Sequence, residues 1–199
     1  MKVFVLVSTM FLTVGVLAFA AADEPAKKAP QDPLARFEPR STPGAGQAYL
    51  KRYAGDWTIA KTFFPRTGEP TRSKGTCKQA MVQDGRFLQS DFTLESGGKT
   101  STGVGVIGFE PENGLFTSFW YDSRQTRMSV RQSKERFDGK QIVLFSKSLE
   151  ADGREARKSK TVSTISEDGN TIIHKQFSLG AGGEERLLME LVFSRVASK

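Results

Sequence analysis

The sequence predicts an all-β protein: a closed antiparallel up-and-down barrel of about ten strands with one short N-terminal helix. Three observations carry that prediction. Beyond Asp56 the chain runs as alternating or β-branched apolar segments, such as Leu115-Phe116-Thr117-Ser118-Phe119-Trp120, the period of strands rather than helices. Turn residues interrupt these runs at short, regular intervals. They are Gly68-Glu69-Pro70, Asp84-Gly85, Gly97-Gly98-Lys99, Glu112-Asn113-Gly114, Asp138-Gly139, Asp152-Gly153, Asp168-Gly169-Asn170 and Gly180 to Gly183, each a residue type that tolerates tight or left-handed backbone. No long helical segment separates the runs, so neighbours in sequence pair as antiparallel neighbours in space. Such a meander leaves two unpaired edges, and closing it on itself removes both.

The elements follow in order. Lys2 precedes an apolar run, Val3 to Phe19, that ends in Ala18-Phe19-Ala20, the charged start, apolar middle and small-residue site of a secretory signal peptide at residues 1–20. The run is at the short end of what spans a bilayer, so cleavage after Ala20 is expected. The mature protein is then periplasmic or secreted, with no membrane insertion. Residues 21–46 hold Pro25, Pro30, Pro33, Pro39 and Pro43, five of the eight prolines, and read as a linker or arm. Residues 47–199 are the barrel domain. Its helix is expected from Gln47 to Ala54, with Tyr49, Leu50 and Tyr53 on one side and Gly55 as the stop. Strands are expected at 56–64, 72–83, 86–95, 102–110, 115–122, 126–136, 140–149, 155–166 and 171–195, the last broken in two by its glycines.

Composition excludes several chemistries. The 199 residues include one Cys and one His, too few for an intrachain disulfide or a four-ligand zinc site of the usual side chains. His174 is the sole histidine for a Ser or Cys dyad; no catalytic constellation is recognisable, and a non-enzymatic role is favoured. Cys77 has no neighbour in sequence to activate it and reads as an inert thiol. Without the leader the charge is 28 basic against 22 acidic residues, a net +6, and residues 121–160 hold 11 Lys+Arg against 6 Asp+Glu. No aromatics interleave with those cations, so nucleic acid is not the expected partner. In Arg127-Met128-Ser129-Val130-Arg131-Gln132-Ser133 the arginines alternate with Met128 and Val130, as on the wet face of a half-packed strand.

Two phosphate-loop patterns lack their context. Gly103-Val104-Gly105-Val106-Ile107-Gly108 matches G-x-G-x-x-G, but no helix follows it, and its glycines read as relief of crowding in a curved wall. Gly98-Lys99-Thr100 lacks the earlier glycine of a P-loop, since position 93 is Thr93.

Gly55-Asp56-Trp57 opens the first strand and Arg195 closes the last, so closure would lay the guanidinium over the indole. This pairing resembles the calycins, meaning lipocalins and fatty-acid-binding proteins, and implies structural roles for both residues. Tyr49 to Trp57, Asp84 to Leu88, Gly103 to Phe109, Phe119 to Ser123 and Met189 to Arg195, in that order, resemble an uncharacterised family of secreted bacterial proteins, the domain of unknown function numbered fifteen seventy-nine. The likeness runs from Gln47 to Val196 and departs at Phe109-Glu110-Pro111, where the family has Tyr-Asp-Asn.

The site expectations rest on strand parity. Trp120 and Asp122 face one way, and Arg127 could reach Asp122 across the intervening turn. On the inner wall this group would fix a ligand's polar head; on the outer wall it is an ordinary ion pair. Arg86 is a rim charge or a carboxylate clamp. His174 is the remaining ligand-binding candidate, because small haem barrels resembling nitrobindin use a histidine on a late strand; otherwise it is simply hydrogen-bonded. The expected function is to bind a small, largely apolar molecule with a polar head. The alternatives are a haem-binding or other enzymatic barrel, or a structural module working on an acidic envelope partner.

Overall fold

The computed structural model describes residues 40–147 and 158–197. The expected leader, most of the proline-rich arm and the Asp152-Gly153 turn lie outside the described residues. The elements are α1 (Ala45–Lys51), β1 (Gly55–Phe63), β2 (Thr71–Val82), β3 (Phe87–Ser96), β4 (Lys99–Glu110), β5 (Leu115–Asp122), β6 (Ser129–Gln132), β7 (Ile142–Lys147), β8 (Ser159–Ile165), β9 (Thr171–Leu179) and β10 (Glu185–Arg195). The ten strands form one closed barrel in which every strand pairs with its sequence neighbour and β1 pairs with β10. The closing seam is antiparallel, from Trp57 opposite Arg195 to Phe63 opposite Met189. The expected fold class is therefore the observed one.

Two elements differ from expectation. Helix α1 ends at Lys51, with Arg52 as its C-cap. Tyr53 and Ala54 donate three residues back, to Leu50 and Lys51, so a tight turn separates the helix from the left-handed Gly55 (φ 137°). The expected strand 126–136 shrinks to β6, because Arg124 folds back on Asp122 through its backbone N–H and side chain and draws the preceding loop out of the ladder.

Helix α1 and an aromatic cluster close one end. Tyr49, Leu50, Tyr53, Trp57, Phe116 and Phe193 are all buried, and the rings of Phe109, Phe116 and Phe137 meet one another at centroid distances of 4.9 to 6.1 Å. Gln47 locks the helix on, accepting from Gly44 N–H (2.7 Å) and donating to the Phe109 carbonyl (2.7 Å). Tyr49 donates its hydroxyl proton to the Lys140 carbonyl (2.6 Å). Not all the phenylalanines fill the barrel: Phe63, Phe87 and Phe119 are exposed by about two-fifths. Phe145 and Phe177 carry the ammonium groups of Lys134 and Lys160 on their faces.

Candidate functional site

Strand alternation sends one residue in two inward, and the plug at the α1 end stops short of filling the barrel. A cavity of about 430 Å³ remains between that plug and the opposite mouth. Its lining is uneven. Leu88 and Phe92 on β3, Ile107 on β4 and Leu191 and Phe193 on β10 make a mainly apolar wall, interrupted by Gln79 on β2 and Ser90 on β3. Across from it Ser118, Ser129, Arg131, Thr161, Ser163, His174 and Gln176, from β5 to β9, make a mainly polar one, interrupted by Ile142 and Leu144 on β7 and Ile172 on β9.

Trp120 and Asp122 share a face, as their parity predicts, and that face lines the cavity. The indole Nε1 donates to Asp122 Oδ2 (3.0 Å), and the ring crosses Gly103, where a Cβ would lie 2.5 Å from it. Gly103 is thus the first glycine of the G-x-G-x-x-G match, and its use is to leave room for an indole. The ion-pair partner of Asp122 is Arg124, not Arg127: Nε donates to Oδ1 (3.0 Å) and Nη2 to Oδ2 (2.9 Å). These bonds hold the buried carboxyl well below the usual carboxylate range, with the Arg124 side chain the main cause and burial opposing it. A carboxylate so saturated has little capacity left for a ligand. Lys61 lines the cavity too, and burial, then Arg124, lowers its pKa.

Arg86 and Arg127 are not among the cavity-lining residues. Arg86 lies at an outer groove near the helix, reaching the Ser41 carbonyl (3.3 Å) and Asp84 (3.6 Å). Arg127 is exposed in the loop before β6. His174 does line the cavity. Its Nδ1 shares a hydrogen bond with Ser163 Oγ (2.8 Å). Burial, and then the Arg131 charge, pull its pKa down to about 4, so the imidazole is neutral at physiological pH.

The reading of Arg131 as part of a wet strand face does not survive. Its side chain enters the cavity wall, because β6 pairs it with the inward-facing Ser118 and not with the outer row. Alternation alone identifies which residues share a face; it does not say which face is inside when the inside is itself half polar.

Trp57 and Arg195 are register partners, with the guanidinium carbon 4.1 Å from the indole centroid. Arg195 also donates to the carbonyls of Gly169, Ala54 and Arg52 at 2.7 to 2.8 Å, pinning the closing seam to the helix and the β8–β9 turn. Cys77, buried opposite Trp57, has its thiol pKa pushed up by burial, which leaves it a poor nucleophile. Among the described residues no cluster of His, Cys, Asp and Glu could hold a metal ion, and no helix is long and apolar enough to cross a membrane.

These features define a class: a closed ten-stranded antiparallel barrel, plugged by a helix at one end and hollow toward the other. Within it the chain belongs to a family described as protein of unknown function (DUF1579), whose model matches residues 42–195. No curated protein matches the chain. Among solved structures it is similar to Rv2717c from M. tuberculosis, with a TM-score of 0.54 and 18% identity over 79% of this chain and 100% of that one. It is also similar to the S-type phycobiliprotein lyase CPES from Guillardia theta, with a TM-score of 0.52 and 11% identity over 77% of this chain and 94% of that one. At these identities the likeness is one of fold.

Proposed function

We propose that this protein is a non-enzymatic carrier or receptor barrel, acting outside the cytoplasm, that holds one small and largely apolar molecule in its lumen. The observation that carries this reading is the 430 Å³ cavity, within the range of roughly 300 to 1,000 Å³ typical of small-molecule sites. Transfer of ligand surface onto its apolar wall is favourable by about 25 cal/mol per Å². The likeness to a phycobiliprotein lyase supports a barrel of this architecture being used to hold a ligand. The apolar leader of the sequence supports export.

The test is titration with the neutral fluorophore N-phenyl-1-naphthylamine. A saturable rise in emission at one molecule per chain is expected, abolished by Ser118→Phe, which projects a ring into the lumen from β5. A linear, non-saturating response, or one indifferent to that substitution, would overturn the reading.

Haem is the second reading. His174 favours it, because a neutral imidazole facing the cavity, with Nδ1 held by Ser163, is the form that ligates iron. Haem would supply redox or gas-binding chemistry there. Titration with haemin should then give a Soret band that His174→Ala removes; no band would eliminate this reading while leaving the first untouched.

A further inference from the structure

Two buried side-chain polar atoms among the described residues lack a hydrogen-bond partner, Arg131 Nε and Tyr53 Oη, and both residues line the same cavity. Orphaned buried groups are costly, and native structures avoid them unless something absent satisfies them. Arg131 is the more demanding of the two because it is charged. No carboxylate pairs with it among the described residues: the carboxylate on the lumen wall, Asp122, is fully taken up by Arg124. The groups beside Arg131 on that wall are neutral. Ser118 is its cross-strand partner on β5, and Ser163 and the uncharged His174 stand on β8 and β9. Lys61, the other lysine or arginine on the lining apart from Arg124, adds positive charge. The Asp122–Arg124 pair is neutral as a unit, so Lys61 and Arg131 leave the lumen net cationic.

The lumen thus holds the Arg131 guanidinium together with the apolar side chains of Leu88, Phe92, Ile107 and Leu191. A carboxylate presents two oxygens in the plane and spacing that a guanidinium matches with paired donors. We propose that the ligand of this barrel is an amphiphilic carboxylate, its head bound by Arg131 and its hydrocarbon part lying on the β3, β4 and β10 wall. The head would satisfy the orphaned donor, neutralise the buried cation and accept from the adjacent hydroxyls. The tail supplies the apolar burial. This deepens the binding reading and rests on it.

The experiment compares decanoate with decan-1-ol as competitors of N-phenyl-1-naphthylamine. The two share a chain and differ in the charged head. On the wild-type protein decanoate is expected to compete at about tenfold lower concentration or better, the scale of a charge-assisted hydrogen bond in a desolvated site. Arg131→Gln should abolish that preference by weakening decanoate far more than decan-1-ol, each read against the fluorophore's own affinity for the variant. Lys61→Gln should alter the preference by no more than about threefold, as for a charge acting through solvent. Equal competition by acid and alcohol on the wild-type protein, or a preference that persists in Arg131→Gln, would overturn the carboxylate assignment while the binding reading stands. Failure of the fluorophore to bind at all would overturn both. Should Arg131→Gln not fold, Arg131→Met, which retains the volume without the charge, takes its place, and the acid-against-alcohol contrast on the wild-type protein still decides.

Discussion

Arg131 is held at a cost to the apo protein. Desolvation lowers its pKa, and among the described residues no carboxylate pairs with it to offset that. Removing an uncompensated buried charge in favour of an apolar side chain of similar size stabilises a fold. Arg131→Met should therefore raise the unfolding free energy of the ligand-free protein by about 1 to 3 kcal/mol in urea denaturation; a loss of stability would show that Arg131 serves the fold. His174 supplies a pH signature. Its folded pKa, about 4, lies below its ordinary value of 6.5, so between those values the unfolded chain binds more protons than the native one. Stability should rise with pH across that window and fall as pH drops from 6.5 toward 4, by on the order of 1 to 3 kcal/mol. His174→Gln should flatten that part of the profile, measured by denaturation at pH 7 and pH 4.5. That Trp120 and Asp122 share a face was legible from parity two; that this face is the inner one was not. The partner of Asp122 was not, because a turn of unknown geometry decides whether Arg124 or Arg127 comes back to the carboxylate.

At the scale of elements, β4 and β5 show how a glycine strand makes the site. Gly103 stands opposite Asp122, and Gly105 opposite Trp120, so the indole lies along a wall without side chains and its N–H reaches the carboxylate. Gly103→Val would drive two methyls into that ring. Overpacking of this kind costs about 1 to 3 kcal/mol, and Trp120 should be displaced from Asp122. The check is a lower urea midpoint together with a shift in tryptophan emission, with Val introduced at the open Gly97 turn excluded as a comparison because its φ of 57° disfavours side chains on its own. That the G-x-G-x-x-G pattern is not a phosphate loop was readable in the sequence from the missing helix. The shortness of β6 was not, since the loop before it is drawn away by contacts to a strand end that local propensity does not report.

For the whole molecule, the lumen exists because the first and last strands meet. Seven register pairs join β1 to β10, and Arg195 fastens that seam to three carbonyls and an indole. Arg195→Ala removes all four contacts at once and should lower the unfolding free energy by about 3 kcal/mol. It should also increase proteolytic susceptibility at the helix and the β8–β9 turn, with β2 to β5 less affected; uniform protection of all segments would show that closure does not depend on it. The exposed rings of Phe87, Phe119 and Tyr121 on the outer wall belong to the same scale. They follow from strands that are apolar on both faces.

By itself the sequence determined the strands, their antiparallel order, the closure and the Trp57–Arg195 seam, because these follow from local periodicity, turn residues and the removal of unpaired edges. Only the tertiary structure decided that the interior is hollow, that one of its walls is mainly polar and that Arg131 points into it. The reason is physical: period-two alternation is unchanged when the two faces are exchanged, and burial without a partner is set by side chains on strands far apart in the chain.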